Sequence, residues 1–397
     1  VTTLAGLRTL RDLDLARNRV LIRVDFNLPL RKGAPADDTR IREAIPTIRH
    51  AMEAGARVIV ASHVTGNKPG QEAHLSLEAH GQRLAELTGY EVHLPEDCVG
   101  DAPRKVIQDL REGQLCLLEN LGRHAGEAED RPDFARQLAD LCDIYVNDAF
   151  SLGTRSWASL HALPRQMRQR ACGLRLEQEL RAVGQLLTPE RPSAALIGGT
   201  RMADKLPYIE ALLERIDHLL IGGALANTFL KARRKNLQIP RVEEDKVALA
   251  QSILQRAEKR GVTVLLPTDV VVGQNSSDPE GKVVPVDAIP AGKVALDIGP
   301  DTRKAFASRL DRASTIYWNG PVGAHDSASF AGGTRAMLET VSQATGFTVV
   351  SGGDTLAALA AVGDELRSGI NHLSSAGDAV LNLLSGRRMP AIEALRT

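Results

Sequence analysis

Nine short runs of β-branched and aliphatic residues punctuate this chain, from RVLIRVDF, ARVIVAS, GQLCLLEN and DIYVNDAF to PSAALIGG, HLLIGGA, VTVLLPTDVVV, STIYWNG and FTVVSGG. Most lead through a turn into a segment with helical spacing, as DKLPYIEALLERI follows PSAALIGGTRMA. Strand-period and helix-period signals that alternate in this way are the mark of successive βαβ units. They predict mainly parallel sheets covered on both faces, with ligands bound beyond the carboxyl ends of the strands. The fold class expected is α/β, with two doubly wound, Rossmann-like parallel-sheet domains joined by a hinge helix.

At 397 residues the chain exceeds what one core of about 250–300 residues can serve. The junction is expected at 174–188, where Leu174, Leu176, Leu180, Val183 and Leu187 share a helical face and Pro189 and Pro192 end it. This gives an N-terminal domain over 1–173, the connecting helix, a second domain over 189–380 and a C-terminal tail over 381–397. Lys plus Arg and Asp plus Glu balance at 49 each, so no bulk field gathers nucleic acid or an anionic membrane. Cys98, Cys116, Cys142 and Cys172 have no metal-site spacing and read as buried bystanders. No apolar run is long enough for a membrane span and the first residues lack a signal-peptide pattern, so the expectation is a cytoplasmic monomer.

Chemistry is suggested at several strand ends. IGGTRMADK (197–205) brings Gly198 and Gly199, then Arg201 and Lys205, to a helix start where negative charge is favoured. SGGDT (351–355) repeats the design with Gly352, Gly353, Asp354 and Thr355, and NGPVG (319–323) adds a third turn. Each glycine pair alone is explained by a tight turn. Three in series point to a phosphate ligand, with Asp354 able to hold Mg²⁺. The Walker A, GxGxxG and GxSxG motifs are absent. In the first half, Arg23, Asp25 and Asn27 share one strand face, Arg40 opens a helix with Asp38 as its cap, and His63 and Arg155 lie in loops after strands. Arg23 reads as a structural ion pair, and His63 equally as a satisfied structural histidine or a ligand.

These segments, with LLENL, LIGGALANTFLKA, VEEDK, ALDIGP and WNGPVG, resemble the phosphoglycerate kinase family in order and over nearly the whole chain. The resemblance implies a phosphoglycerate kinase-like fold, an acidic-substrate domain first, a nucleotide-binding domain second, and a tail returning to the first. It implies reversible transfer of the ATP γ-phosphoryl group to a carboxylate, with Mg²⁺ and ATP or ADP. A small carboxylic acid and an adenine nucleotide are the expected partners. Asp25 and Asn27 match positions that hold the acid's head, Arg40 matches one that neutralises the phosphoryl group, and His63 and Arg155 match members of a basic patch. Gly198, Gly199, Gly222 and Gly223 match adenine-side turns, and Lys205 matches a phosphate-binding lysine. Asn319, Gly352, Gly353, Asp354 and Thr355 match positions around phosphates and metal, and Asp326 stands where a longer Glu meets the ribose.

Several positions depart from that pattern. Gly66 and Gly122 stand where patch arginines belong, with Arg123 adjacent and able to compensate, while Thr154 and Trp157 replace two histidines. Arg201 replaces a lysine, and Asp378 enters a glycine-rich helix start, favourable there as an N-cap and repulsive beside a phosphoryl group. The reading is therefore a carboxylate kinase whose site is altered from that for 3-phosphoglycerate. A silent paralogue that binds nucleotide or a protein is the alternative.

Overall fold

Val20, Leu21 and Ile22 are wholly buried in the middle of β1 (Arg19–Arg23), the strand around which the first sheet of this computed structural model is built. Full burial of each such side chain contributes roughly 1.5–3 kcal/mol. The structure describes residues 3–31, 33–66, 74–200, 205–233 and 241–396, with the backbone alone at 362 and 364. β2 (Arg57–Ala61), β3 (Glu91–His93), β4 (Gln114–Leu117), β5 (Ile144–Asn147) and β6 (Arg170–Cys172) complete a parallel sheet of order β3-β4-β2-β1-β5-β6. The chain reverses its direction of travel between β1 and β5. The carboxyl ends of those two strands therefore open the crevice where this topology binds ligands.

Helix α1 (Thr39–Glu53) turns Ile41, Ala44, Ile48 and Ala51 onto that sheet at helical spacing. Asp38 occupies its N-cap position but makes no capping bond, because its carboxylate pairs with Arg42 at 2.8 Å and Arg83 at 2.6 Å. Helix α2 (Leu174–Leu187) buries Leu176, Leu180, Val183 and Leu186. Its first turn is held by Asp148, whose Oδ1 accepts from Arg175 N at 2.9 Å and Leu176 N at 3.1 Å. Burial pushes the Asp148 carboxyl up to about 6.

Two compact units result. One comprises 2–181 with 388–397, the other 182–387, and the division falls within α2. In the first unit the tail is held by Asn147, whose side chain donates to Ala391 O at 3.2 Å, and by Ala391 N, which donates to Gly153 O at 3.1 Å.

The second unit repeats the architecture with β7 (Ser193–Ile197), β8 (His218–Ile221) and β9 (Thr263–Leu265). An antiparallel side sheet follows, formed by β10 (Asp269–Gly273), β11 (Lys282–Pro285) and β12 (Val294–Ile298). Then β13 (Thr315–Asn319), β14 (Phe347–Ser351) and β15 (His372–Ser374) close a parallel sheet of order β9-β8-β7-β13-β14-β15. Its switch point lies between β7 and β13. The run VTVLLPTDVVV is two strands in different sheets rather than one, with Pro267 in the break. The short edge strands β3, β6 and β15 escape sequence reading because three residues carry no resolvable period.

Candidate functional site

In the first unit the switch point gathers Asp25, Asn27 and Arg40. Arg40 Nη1 lies 2.8 Å from Asp25 Oδ2 and also donates to Asn27 O at 3.3 Å. Ser151, in the segment after β5, donates to Asp25 Oδ2 as well. Burial pushes the Asp25 carboxyl up, but Arg40, His63 and the Ser151 hydrogen bond outweigh it, so the group sits below the usual carboxylate range. Asn27 is oriented by Thr65, whose N donates to Asn27 Oδ1 at 3.0 Å while Asn27 Nδ2 donates to Thr65 Oγ1 at 3.0 Å. Sequence reasoning missed Ser151 and Thr65. Their only signal was position in the loops after β5 and β2.

Arg23 belongs to a different set. It is fully buried, donates through Nε to Ser159 Oγ at 2.7 Å and lies 3.6 Å from Glu127 Oε1. Its Nη2 also faces His63 Nδ1 at 3.4 Å. A guanidinium can only donate, so this ring nitrogen must accept and His63 carries its proton on Nε2. Burial and the Arg23 charge pull the His63 imidazole down to about 3, so it is neutral at physiological pH. The Trp157 ring stands edge-on to it, 4.8 Å between centroids at 75°, and Arg155 lies 5.6 Å from the Trp157 centroid.

The structure does not bring Arg123 into this set. Its guanidinium pairs with Glu119 at 3.0 Å and donates to Leu75 O at 3.1 Å and Glu96 O at 3.3 Å. Asp97, Cys98 and His124 form the one cluster among the described residues with metal-type donors within 4.8 Å of one another. An ordinary His124–Asp97 pair at 2.6 Å and stacking of His124 on Phe134 account for it. All four cysteines are free and buried, and burial pushes the Cys116, Cys142 and Cys172 thiols up to about 12.

In the second unit the switch point is made of backbone. Gly198 N donates to Asn319 O at 3.0 Å, Gly199 N to Pro321 O at 2.8 Å and Gly223 N to Val322 O at 3.1 Å. An ideal Cβ on Gly198 would stand 2.2 Å from Pro321 O, and one on Gly222 2.6 Å from Val322 Cγ1. Gly223 has φ +66° and Gly320 φ +96°, conformations that favour glycine. The glycine pairs after β7 and β8 thus weld three adjacent strand ends together. Lys205, at the N-cap of the helix Leu206–Leu212, donates through Nζ to Asn319 Oδ1.

Two helix starts meet beside this point. Helix α3 (Gly353–Val362) begins after Gly352, and helix α4 (Gly377–Leu384) begins where a Cβ on Gly377 would lie 2.9 Å from Gly352 Cα. Thr355 Oγ1 accepts from Gly320 N at 2.8 Å, which ties α3 to the glycine turn. Asp354 is exposed in the first turn of α3, where an oxygen donor suits a hard cation. Asp378 is not a cap: Ala376 holds that position, and the exposed Asp378 sits within the first turn of α4. Asp326 is exposed beyond the β13 turn. Arg201 lies outside the described residues. Asp297, also missed by sequence reasoning, is buried under Gly323 and Gly333, accepts from Gly333 N at 2.6 Å and Arg303 Nη2 at 2.9 Å, and is pushed by burial up to about 7.

Two doubly wound α/β units, one with an ion-paired polar cluster at its switch point and one with a glycine-built turn set and a lysine at a helix start, define the class. Residues 10–387 match the family model described as phosphoglycerate kinase. The chain belongs to the phosphoglycerate kinase family. It is 44% identical over 389 residues to a phosphoglycerate kinase of Moorella thermoacetica, covering 98% of each chain. It is also 44% identical over 395 residues to one of Anaeromyxobacter sp. strain Fw109-5, covering 98% of this chain and 99% of that one. Among solved structures, phosphoglycerate kinase of Coxiella burnetii superposes with a TM-score of 0.86 at 33% identity, covering 98% of both chains. That of Pyrococcus horikoshii gives 0.85 at 29% identity with the same coverage. Among the described residues no helix is long and apolar enough to cross a membrane.

Proposed function

We propose that this chain is an ATP-dependent carboxylate kinase of the phosphoglycerate kinase type, acting in the cytoplasm, with a weakened grip on the remote phosphate of 3-phosphoglycerate. The observation that carries the reading is the Asp25–Asn27–Arg40 cluster at one switch point, with Lys205 and two helix starts at the other. In the transfer, a carboxylate oxygen of the acid attacks the γ-phosphorus of ATP, the bond to the β-phosphate oxygen breaks and ADP leaves with that electron pair. No general base is needed, because the acid is already ionised at neutral pH.

Arg40, Arg201 and Lys205 neutralise charge on the moving group, which is the main contribution a protein makes to such a step. Asp25 and Asn27 orient the acid's head, and His63 serves as a neutral donor. Gly198, Gly199, Gly222 and Gly223 line the adenine side, Asp326 meets the ribose, and Asn319, Gly352, Gly353 and Thr355 surround the phosphates. Bound Mg²⁺, held by Asp354 and the nucleotide, would screen the phosphate charge. Closure about the helix at 174–188 would exclude water.

The weakened grip is argued from Gly66, Gly122, Thr154 and Trp157, with Arg123 engaged by Glu119. Among the described residues, that leaves Arg155 as the patch cation. The test is acyl phosphate formation from MgATP, trapped with hydroxylamine, across 3-phosphoglycerate and a panel of small acids. Turnover of 3-phosphoglycerate with a KM as low as that of the Moorella enzyme overturns the weakened grip. MgATP binding without product from any acid overturns the kinase reading.

A further inference from the structure

Behind the Lys205–Asn319 contact lie two buried hydroxyls, those of Ser351 and Tyr317. Tyr317 and Asn319 share one face of β13, and Ser351 stands opposite Asn319 on β14 in parallel register. All three are at most 2 % exposed. Asn319 Nδ2 donates to Ser351 Oγ at 2.9 Å, and Ser351 Oγ donates to Tyr317 OH at 2.9 Å. With Lys205 Nζ donating to Asn319 Oδ1, the hydrogen bonds run in one direction, from ammonium to amide to hydroxyl to phenol.

That polarity has a consequence for geometry. An ammonium offers only donors, so the Asn319 amide must turn its oxygen to Lys205 and its NH₂ inward. Inward there is little room: an ideal Cβ on Gly377 would stand 3.0 Å, and one on Gly352 3.3 Å, from Asn319 Nδ2. Ser351 supplies the acceptor there. Its lone pair faces the amide because its own proton is spent on Tyr317, whose phenol burial keeps protonated.

We propose that Ser351 and Tyr317 are positioning residues for the nucleotide phosphates, acting through Asn319 to hold Lys205 in its binding geometry. Removing the serine hydroxyl takes away the acceptor 2.9 Å from the enclosed NH₂ and leaves it the Tyr317 oxygen alone, toward which the amide then turns or shifts. The Lys205 ammonium then loses the acceptor that aims it, and phosphate binding must supply that ordering. The inference rests on the reading of Lys205 as a phosphate ligand.

The test is calorimetric titration of the full chain with MgADP, together with melting temperatures. Ser351→Ala is expected to weaken MgADP about tenfold or more, and Tyr317→Phe about threefold, from the cost of orphaned buried donors. Ser351→Thr, which keeps the hydroxyl, should restore most of the affinity. In an Asn319→Ala background Ser351→Ala should add nothing, because its route to Lys205 is gone. Lower melting temperatures with MgADP affinity within about twofold of the parent in both single variants, or a full additional effect in the Asn319→Ala background, overturn the proposal. Should Ser351→Ala fail to fold, Tyr317→Phe alone decides it. A parent chain that does not bind MgADP overturns this inference and the kinase reading together, whereas binding indifferent to both hydroxyls overturns only the inference.

Discussion

The two switch points are built from different materials. In the first unit the work is done by side chains: Asp25 against Arg40, Asn27 against Thr65, and Arg23 buried with Glu127 and Ser159. In the second, the glycine turns bind one another through main-chain hydrogen bonds, and side chains such as Asn319 and Thr355 brace that backbone junction. A cluster of side chains can be altered one position at a time while the strands beneath keep their register. A backbone junction cannot, because any Cβ at Gly198 meets a carbonyl oxygen. On the family resemblance, the departures at Gly66, Gly122, Thr154 and Trp157 fall in the first unit, where this contrast permits them, and the second keeps its glycine pairs. Asp378 fits the same rule, since its side chain is exposed.

Four measurements would break or sharpen that contrast. The largest effect is expected from Arg40→Ala, which should lower kcat for acyl phosphate formation by about 10³-fold while leaving MgADP affinity unchanged. A comparable loss of nucleotide affinity would deny the division of labour between the units. Gly198→Ala should destabilise the second unit by about 3 kcal/mol or more, read as a drop in its chemical denaturation midpoint. A variant of unchanged stability would show that the junction yields.

Gly122→Arg tests the opposite property of the first unit. Gly122 has no left-handed φ, so its backbone conformation suits an L-residue, and an added charged hydrogen bond of about 1.5–3 kcal/mol should lower KM for 3-phosphoglycerate roughly ten- to a hundredfold. An unchanged KM counts against the proposed weakened grip. The smallest effect concerns pH. His63 is neutral in the fold because its imidazole is pulled down to about 3 from its ordinary 6.5. Its contribution is complete above the unfolded value and is lost as pH falls from there toward the folded one, by at most about 1.4 kcal/mol per pH unit. His63→Gln should flatten the acid limb of the stability profile over that window. A profile that keeps its slope would mean that other groups carry it.

Much of the site was legible before any coordinates. Alternating strand and helix periods gave both parallel sheets, and glycines after β7 and β8 marked the turns. Asp25 and Asn27 could be singled out because polar residues continuing a buried strand demand partners, though β1 itself ends at Arg23, and Arg40 because it opens a helix. Ser151, Thr65 and Ser351 could not, since a serine or threonine at or after the end of a strand is ordinary and only its neighbour gives it meaning. Arg123 illustrates the reverse: beside Gly122 in sequence it is a plausible substitute cation, but its side chain is directed to Glu119.

The sequence by itself determined the periodicities, the positions of the turns and the inventory of charged groups, because these depend on residues close together along the chain. Only the tertiary structure decided which charges are engaged. Arg23 satisfies Glu127, His63 is held neutral, Arg123 is bound to Glu119, and Asn319 is aimed at Lys205 by Ser351 of the neighbouring strand and Tyr317 of its own. Hydrogen bonds and ion pairs act over a few ångströms between residues far apart in sequence, and packing alone brings them within that reach.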